Sequence, residues 1–209
     1  MIDKICDKLM QRIRGKMPEV DDERAEVIQY GLEILIGEVP KTLIILLIAW
    51  ILGVFKYTLI SFLIILPYRL FSGGLHLKTH IGCIIGTSVF YIGNAYISQL
   101  LKFPNFISKL IFSILVLIFA IIMITLYAPA DTENVPILRK KDRKLKKIYS
   151  YVTVLVTVTI SFFFNDSTIG NMCIIGVLIQ SISISKLIYK IFKVKYGYLE
   201  YIKKQKNAI

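Results

Sequence analysis

The chain has 209 residues, of which 56% are hydrophobic and 19% charged, with a formal net charge of +12. A soluble domain would carry about a quarter charged residues, so an ordinary soluble protein is excluded. A membrane β-barrel is excluded too, because apolar runs such as 43–50 do not alternate with polar residues. What remains is an all-α, polytopic membrane protein.

Residues 1–14 place Ile2, Ile5, Cys6, Leu9, Met10 and Ile13 at helical spacing, with charged residues on the other face. This predicts an amphipathic helix lying on the inner membrane surface, or packed against other parts of the chain. Gly15 and Pro18 end it. Asp21 or Asp22 caps the next helix, and residues 26–54 read as one long first span, breakable at Pro40. Further spans follow at 59–70, 81–101, 106–127, 148–164 and 169–192, giving about six transmembrane helices. The whole chain, 1–209, reads as a single membrane domain. Within it, 1–24 is a cytosolic amphipathic segment, 26–192 the transmembrane bundle and 193–209 a basic cytosolic tail.

The positive charge lies in three patches: residues 1–24, 139–147 and 186–206. In a soluble chain such an excess would point to nucleic acid. Segregated between apolar segments, it points to orientation, with both termini and the loops at 67–80 and 128–147 in the cytosol. No nucleic-acid partner is expected. The basic face suits anionic lipid headgroups or an acidic peptide. Three cysteines without a CxxC pair predict neither a disulfide framework nor a zinc site.

One polar stretch interrupts the apolar pattern. Between Arg69 and Cys83 lie Gly73, Gly74, Lys78 and both histidines of the chain, His76 and His80. A thiol near imidazoles, with glycines that free the backbone, has the composition that thiol nucleophilic catalysis requires. The alternative is a polar cytosolic turn whose cysteine is apolar filler. Thr79 caps a helix that starts there and puts Cys83 near its positive end, which lowers a thiol pKa, whereas burial in lipid would raise it, so the site needs a polar pocket that reaches Cys83. On a regular helix His80 is the neighbour of Cys83. His76 would stand about 10.5 Å away along the axis and reaches Cys83 only if the backbone folds back at Gly73 and Gly74. Asp131 and Glu133, on the same predicted side, are candidates to orient an imidazole.

The pattern Arg69, Gly74, His76, Cys83, together with the polar loop 128–136, resembles the accessory gene regulator B (AgrB) family of Gram-positive quorum sensing, over essentially the whole chain. The resemblance implies a membrane cysteine endopeptidase with Cys83 as nucleophile and His76, not His80, as base. It implies supporting roles for Arg69 and Gly74, no metal or organic cofactor, and a homodimer. The implied substrate is an AgrD-type propeptide with an acidic C-terminal tail, whose processed part closes into a thiolactone or lactone ring. It also sets Gly73 where staphylococcal members carry a bulkier residue, which implies a looser loop here. A non-enzymatic peptide exporter or scaffold is the alternative from another class, although no internal repeat of the kind found in transporters is visible.

Overall fold

The structure is a computed structural model that describes residues 2–75, 77, 79–132, 136–164 and 166–206. The chain forms two compact units, Met1–Leu52 and Gly53–Ile209. In the first, α1 (Ile2–Lys16) and α2 (Asp22–Glu33) form a hairpin. The apolar stripe read from the sequence is partly used inside the protein. Cys6 and Met10 are buried, and Met10 packs with Val20, Ala25, Ile13 and Ile28. Asp21 supplies the cap, accepting from the Arg24 amide at 2.8 Å, and Arg14 pairs with Asp22.

The expected long first span is not one helix. A π-helical turn, Ile34–Glu38, separates α2 from α3 (Val39–Ile51). Pro40, in the first turn of α3, has no amide to bond back into the preceding turn, which lets that turn widen. α3 leaves Leu43, Leu47, Trp50 and Ile51 exposed, the surface of a helix suited to lipid.

The second unit is a bundle of α4 (Phe55–Ser72), α5 (His80–Leu100), α6 (Phe106–Tyr127), α7 (Lys140–Ile160) and α8 (Ser167–Ser183). Short helices α9 (Lys186–Ile191) and α10 (Gly197–Lys206) follow. α4, α6 and residues Ile81–Leu100 of α5 are each long and apolar enough to cross a membrane; α8 is apolar but shorter. α8 packs against α4, α5, α6 and α7 and is buried along most of its length. A helix apolar on all sides belongs at such a centre. The surrounding helices set small residues inward beside a few large ones and leave most of their large aliphatic residues outward. α6 buries Ser113, Val116, Ala120 and Ile124 while Leu115, Ile118, Ile122 and Leu126 stay exposed. In lipid there is no hydrophobic drive between helices, so close packing of small residues and interhelical hydrogen bonds hold them together. Asn94 donates to Ser61 at 2.8 Å and to the Met172 carbonyl at 3.3 Å, joining α5 to α4 and α8.

Polar contacts show which helix ends meet. At one end Asn171 donates to the Leu101 carbonyl at 2.8 Å, and Lys109 to that of Ser161 at 2.9 Å. At the other, Gln180 of α8 reaches Ser72 and Gly73, just past α4. Successive helices of this unit therefore alternate in direction. The basic stretches 139–147 and 186–206 belong to the Gly73 end, whereas Lys56, Lys102 and Lys109 belong to the other. α7 begins eight residues before its apolar part, because the Lys- and Arg-rich stretch ahead of it is itself a good helix former. The last predicted span stops at Ser183, and Ser185 caps a separate α9.

Two glycines separate packing from propensity. A Cβ on Gly170 would stand 2.5 Å from the Ser161 carbonyl, whereas one on Gly31 in α2 would meet nothing. Gly170→Ala is expected to destabilise by about 1–3 kcal/mol, and Gly31→Ala to stabilise by about 0.4–1 kcal/mol. Thermal unfolding of the purified protein in detergent checks both signs.

Candidate active site

α4 ends where the Gly pair begins. Gly73 adopts φ +76°, a left-handed conformation that suits glycine, and its amide donates to the Arg69 carbonyl at 3.0 Å. The chain then pairs with the strap that follows α6. Gly74 donates to the Ala130 carbonyl at 3.0 Å and Ala130 to that of Ser72 at 2.8 Å, a single parallel bridge. Gln180 completes it from the bundle centre, donating to the Ser72 hydroxyl at 2.8 Å and the Gly73 carbonyl at 2.7 Å. A Cβ on Gly73 would run into the Ala130 carbonyl. The looser loop implied by the glycine is thus not found: the missing side chain is what lets two backbones approach closely.

Arg69 lies beside this turn. Its guanidinium is 3.5 Å from where a Cβ of Gly74 would be, donates to the Leu75 carbonyl at 3.4 Å, and sits 5.3 Å from the Phe90 ring centre. Leu77 lies over the start of α5. Its Cδ1 is within 3.5 Å of a Cβ built on Gly82 and 3.4 Å of one on Gly86. Leu77 therefore lies alongside the first turns of α5 and not in line ahead of them. Thr79 is the cap expected from sequence, its hydroxyl accepting from the Gly82 amide at 3.1 Å. Cys83 follows in the first turn, half-buried, a free thiol whose amide donates to the Thr79 carbonyl at 2.9 Å.

His76, Lys78 and Glu133 lie outside the described residues, as does the side chain of His80, whose backbone opens α5. Asp131 is described: one carboxylate oxygen, Oδ2, is engaged, while Oδ1 is buried with no partner among the described residues. Oδ2 accepts from the Ile137 amide at 2.9 Å, from Arg143 at 3.0 Å and from the Tyr198 amide at 3.1 Å, with the side chain fully buried. The Gly73 and Gly74 amides are bonded to the Arg69 and Ala130 carbonyls. At the start of α5 the amides of residues 80 and 81 have no intrahelical carbonyl to bind.

The residues that sequence reasoning missed are those that hold the strap: Gln180, Arg143 and Tyr189, whose hydroxyl donates to the Ala130 carbonyl at 3.1 Å. A primary amide in an apolar span is the one available signal, since such a group in a membrane needs a partner. Nothing local singles out Tyr189 or Arg143.

The sequence pattern described as Accessory gene regulator B matches residues 2–184. The chain belongs to the accessory gene regulator B family. An AgrB-like protein of Listeria innocua is 29% identical over 195 residues, 93% of this chain and 91% of its own length. One of Clostridium acetobutylicum is 27% identical over 175 residues, 83% and 81% of the two chains. Accessory gene regulator protein B of Staphylococcus epidermidis is 25% identical over 203 residues, 94% of this chain and 97% of its own length. No solved structure matches. This AgrB-family protein is thus a helical membrane protein whose family match covers both the Arg69–Cys83 region and the strap.

The Gly pair should respond unequally to one methyl group. Gly73→Ala forces both a strained φ and a backbone collision, with an expected cost of about 1–3 kcal/mol. Gly74→Ala meets Arg69 only at ordinary contact distance and should cost less than half as much. Unfolding midpoints of the two variants in detergent measure the difference.

Proposed function

We propose that this AgrB-family protein is a membrane cysteine endopeptidase that removes the acidic C-terminal tail of an AgrD-type propeptide. One observation carries the reading. Leu77 lies over Gly82 and Gly86, and a chain set alongside α5 there supplies the approach that a His76–Cys83 pair requires. The placement of Cys83 in the first turn of α5 adds the favourable end of a helix dipole for a thiolate.

In the proposed reaction His76 takes the proton from the Cys83 sulfur, and the thiolate attacks the carbonyl just before the acidic tail. The oxyanion is held by the amides of residues 80 and 81, since those of Gly73 and Gly74 are spent within the protein. His76 returns its proton to the departing amine, which leaves an acyl-thioester on Cys83. The propeptide's own thiol or hydroxyl attacks that thioester, closing the ring and freeing Cys83. Exchange of one thioester for another keeps the acyl group activated, provided water is excluded. Arg69, Lys78 and the basic stretches at this end of the bundle attract the acidic tail. By the positive-inside rule this end faces the cytosol, against anionic lipid headgroups. The proposed working form is a homodimer.

The test is co-expression with the propeptide of the adjoining reading frame, a short chain with an amphipathic start, a central Cys or Ser and an acidic end. Tail release is followed by mass spectrometry. Cys83→Ser and His76→Ala should each lower it on the order of 10³-fold or more, while Cys6→Ser, Cys173→Ser and His80→Ala leave it within threefold. Undiminished release in Cys83→Ser would refute the enzyme, and loss in His80→Ala alone would move the base to that residue.

A further inference from the structure

The family match ends at residue 184, yet the segment after it is built into the strap that pairs with the Gly turn. Tyr189 of α9 donates its hydroxyl to the Ala130 carbonyl at 3.1 Å, the same oxygen that receives the Gly74 amide. Its ring stacks on that of Tyr196, centroids 4.1 Å apart and 3° from parallel, and the Tyr196 hydroxyl donates to the Ile184 carbonyl at 2.9 Å. The next residue, Gly197, lies so close to the Thr132 carbonyl that a Cβ would collide with it. The amide of Tyr198 then closes on the buried Asp131 carboxylate at 3.1 Å. Arg143 of α7, bonded to that carboxylate and to the Pro129 carbonyl at 3.2 Å, lies 4.3 Å from the Tyr198 ring centre. Successive strap residues, Pro129 to Thr132, are thus each gripped by the C-terminal segment or by Arg143.

These are expensive contacts for an ornamental tail. Ordering a chain costs about 1–2 kcal/mol per residue, and a carboxylate without exposed surface needs its partners in place. The beneficiary is the turn across the strap, which leads through Leu75 and Leu77 to the first turn of α5. We infer that residues 185–198 are a clamp that positions the Gly73–Gly74 turn, and through it the approach to Cys83, with Tyr189 and Gly197 as positioning residues. The inference rests on the proposed role of Cys83 as nucleophile.

Its test uses the full chain in detergent, in a Cys6→Ser/Cys173→Ser background where Cys83 is the remaining thiol. Iodoacetamide alkylation of Cys83 at pH 7 is followed beside the unfolding midpoint and the kcat and KM of tail release. Tyr189→Phe removes one hydroxyl and keeps the stacked ring; Gly197→Ala pushes on Thr132; Tyr201→Phe, on α10, is the control. Tyr189→Phe should retain the parent's unfolding midpoint within a few degrees, whereas Gly197→Ala, which pushes on the Thr132 carbonyl, should lower it. Their alkylation at pH 7 should fall at least threefold as the approach to the thiol loses its order. kcat should drop at least tenfold with KM within twofold. Parent-like alkylation in Tyr189→Phe overturns the clamp whatever Gly197→Ala does, including failure to fold. A parent that releases no tail would instead defeat the peptidase reading, and the alkylation rates would still decide whether the clamp reaches Cys83.

Discussion

The Ala130 carbonyl is the point on which the organised end of the bundle turns. It accepts from Gly74 and from Tyr189, while the amide of the same residue donates to Ser72. Backbone groups taken out of water must be bonded to something. Where a loop sits at the end of an apolar bundle, the choice of partners therefore fixes its path. Here Gly73 permits the approach because it has no side chain. Gln180 donates to the Ser72 hydroxyl and, beside that hydroxyl, to the Gly73 carbonyl, and Asp131 ties the far side of the strap to α7 and to the C-terminal segment.

The rest of the second unit serves that end. α8 is buried almost all round and contributes the amides at its two extremities: Asn171 to the end of α5, Gln180 to the end of α4. The outer helices present large aliphatic side chains outward and set Ser, Ala and Val inward beside a few large residues such as Ile65, Tyr68 and Tyr91. The apolar scaffold is thus held by packing and by a few interhelical hydrogen bonds, each of modest strength. The Cys83 thiol at the mouth of this bundle stands on a helix but meets its surroundings through loops. That is the usual division between scaffold and chemistry.

Much of this was legible beforehand. Long apolar runs announced the helices, and α6 was found at its predicted ends because Asn105 and Ala128 bound a run whose one charge, Lys109, lies in its first turn. Thr79 and Asp21 cap as their types and positions predict. The breaks were harder. The π-helical turn at 34–38 comes from a proline two residues farther on, and the apolar run continues across it unchanged. The stop at Ser183 likewise leaves no mark in hydropathy, because Ser185 recaps a helix of similar composition.

The sequence by itself determined the class of the molecule, the segregation of its basic stretches and the polar cluster between Arg69 and Cys83. These follow from composition and short-range spacing, which a chain displays before it folds. Only the tertiary structure decided what holds that cluster. The partners of the Gly turn are Ala130, Gln180 and, at one remove, Tyr189 and Tyr198, separated from it by some 60 to 125 residues of chain. Hydrogen bonds between backbone groups carry no side-chain signature. A carbonyl that accepts from two distant donors is visible only once the helices have packed.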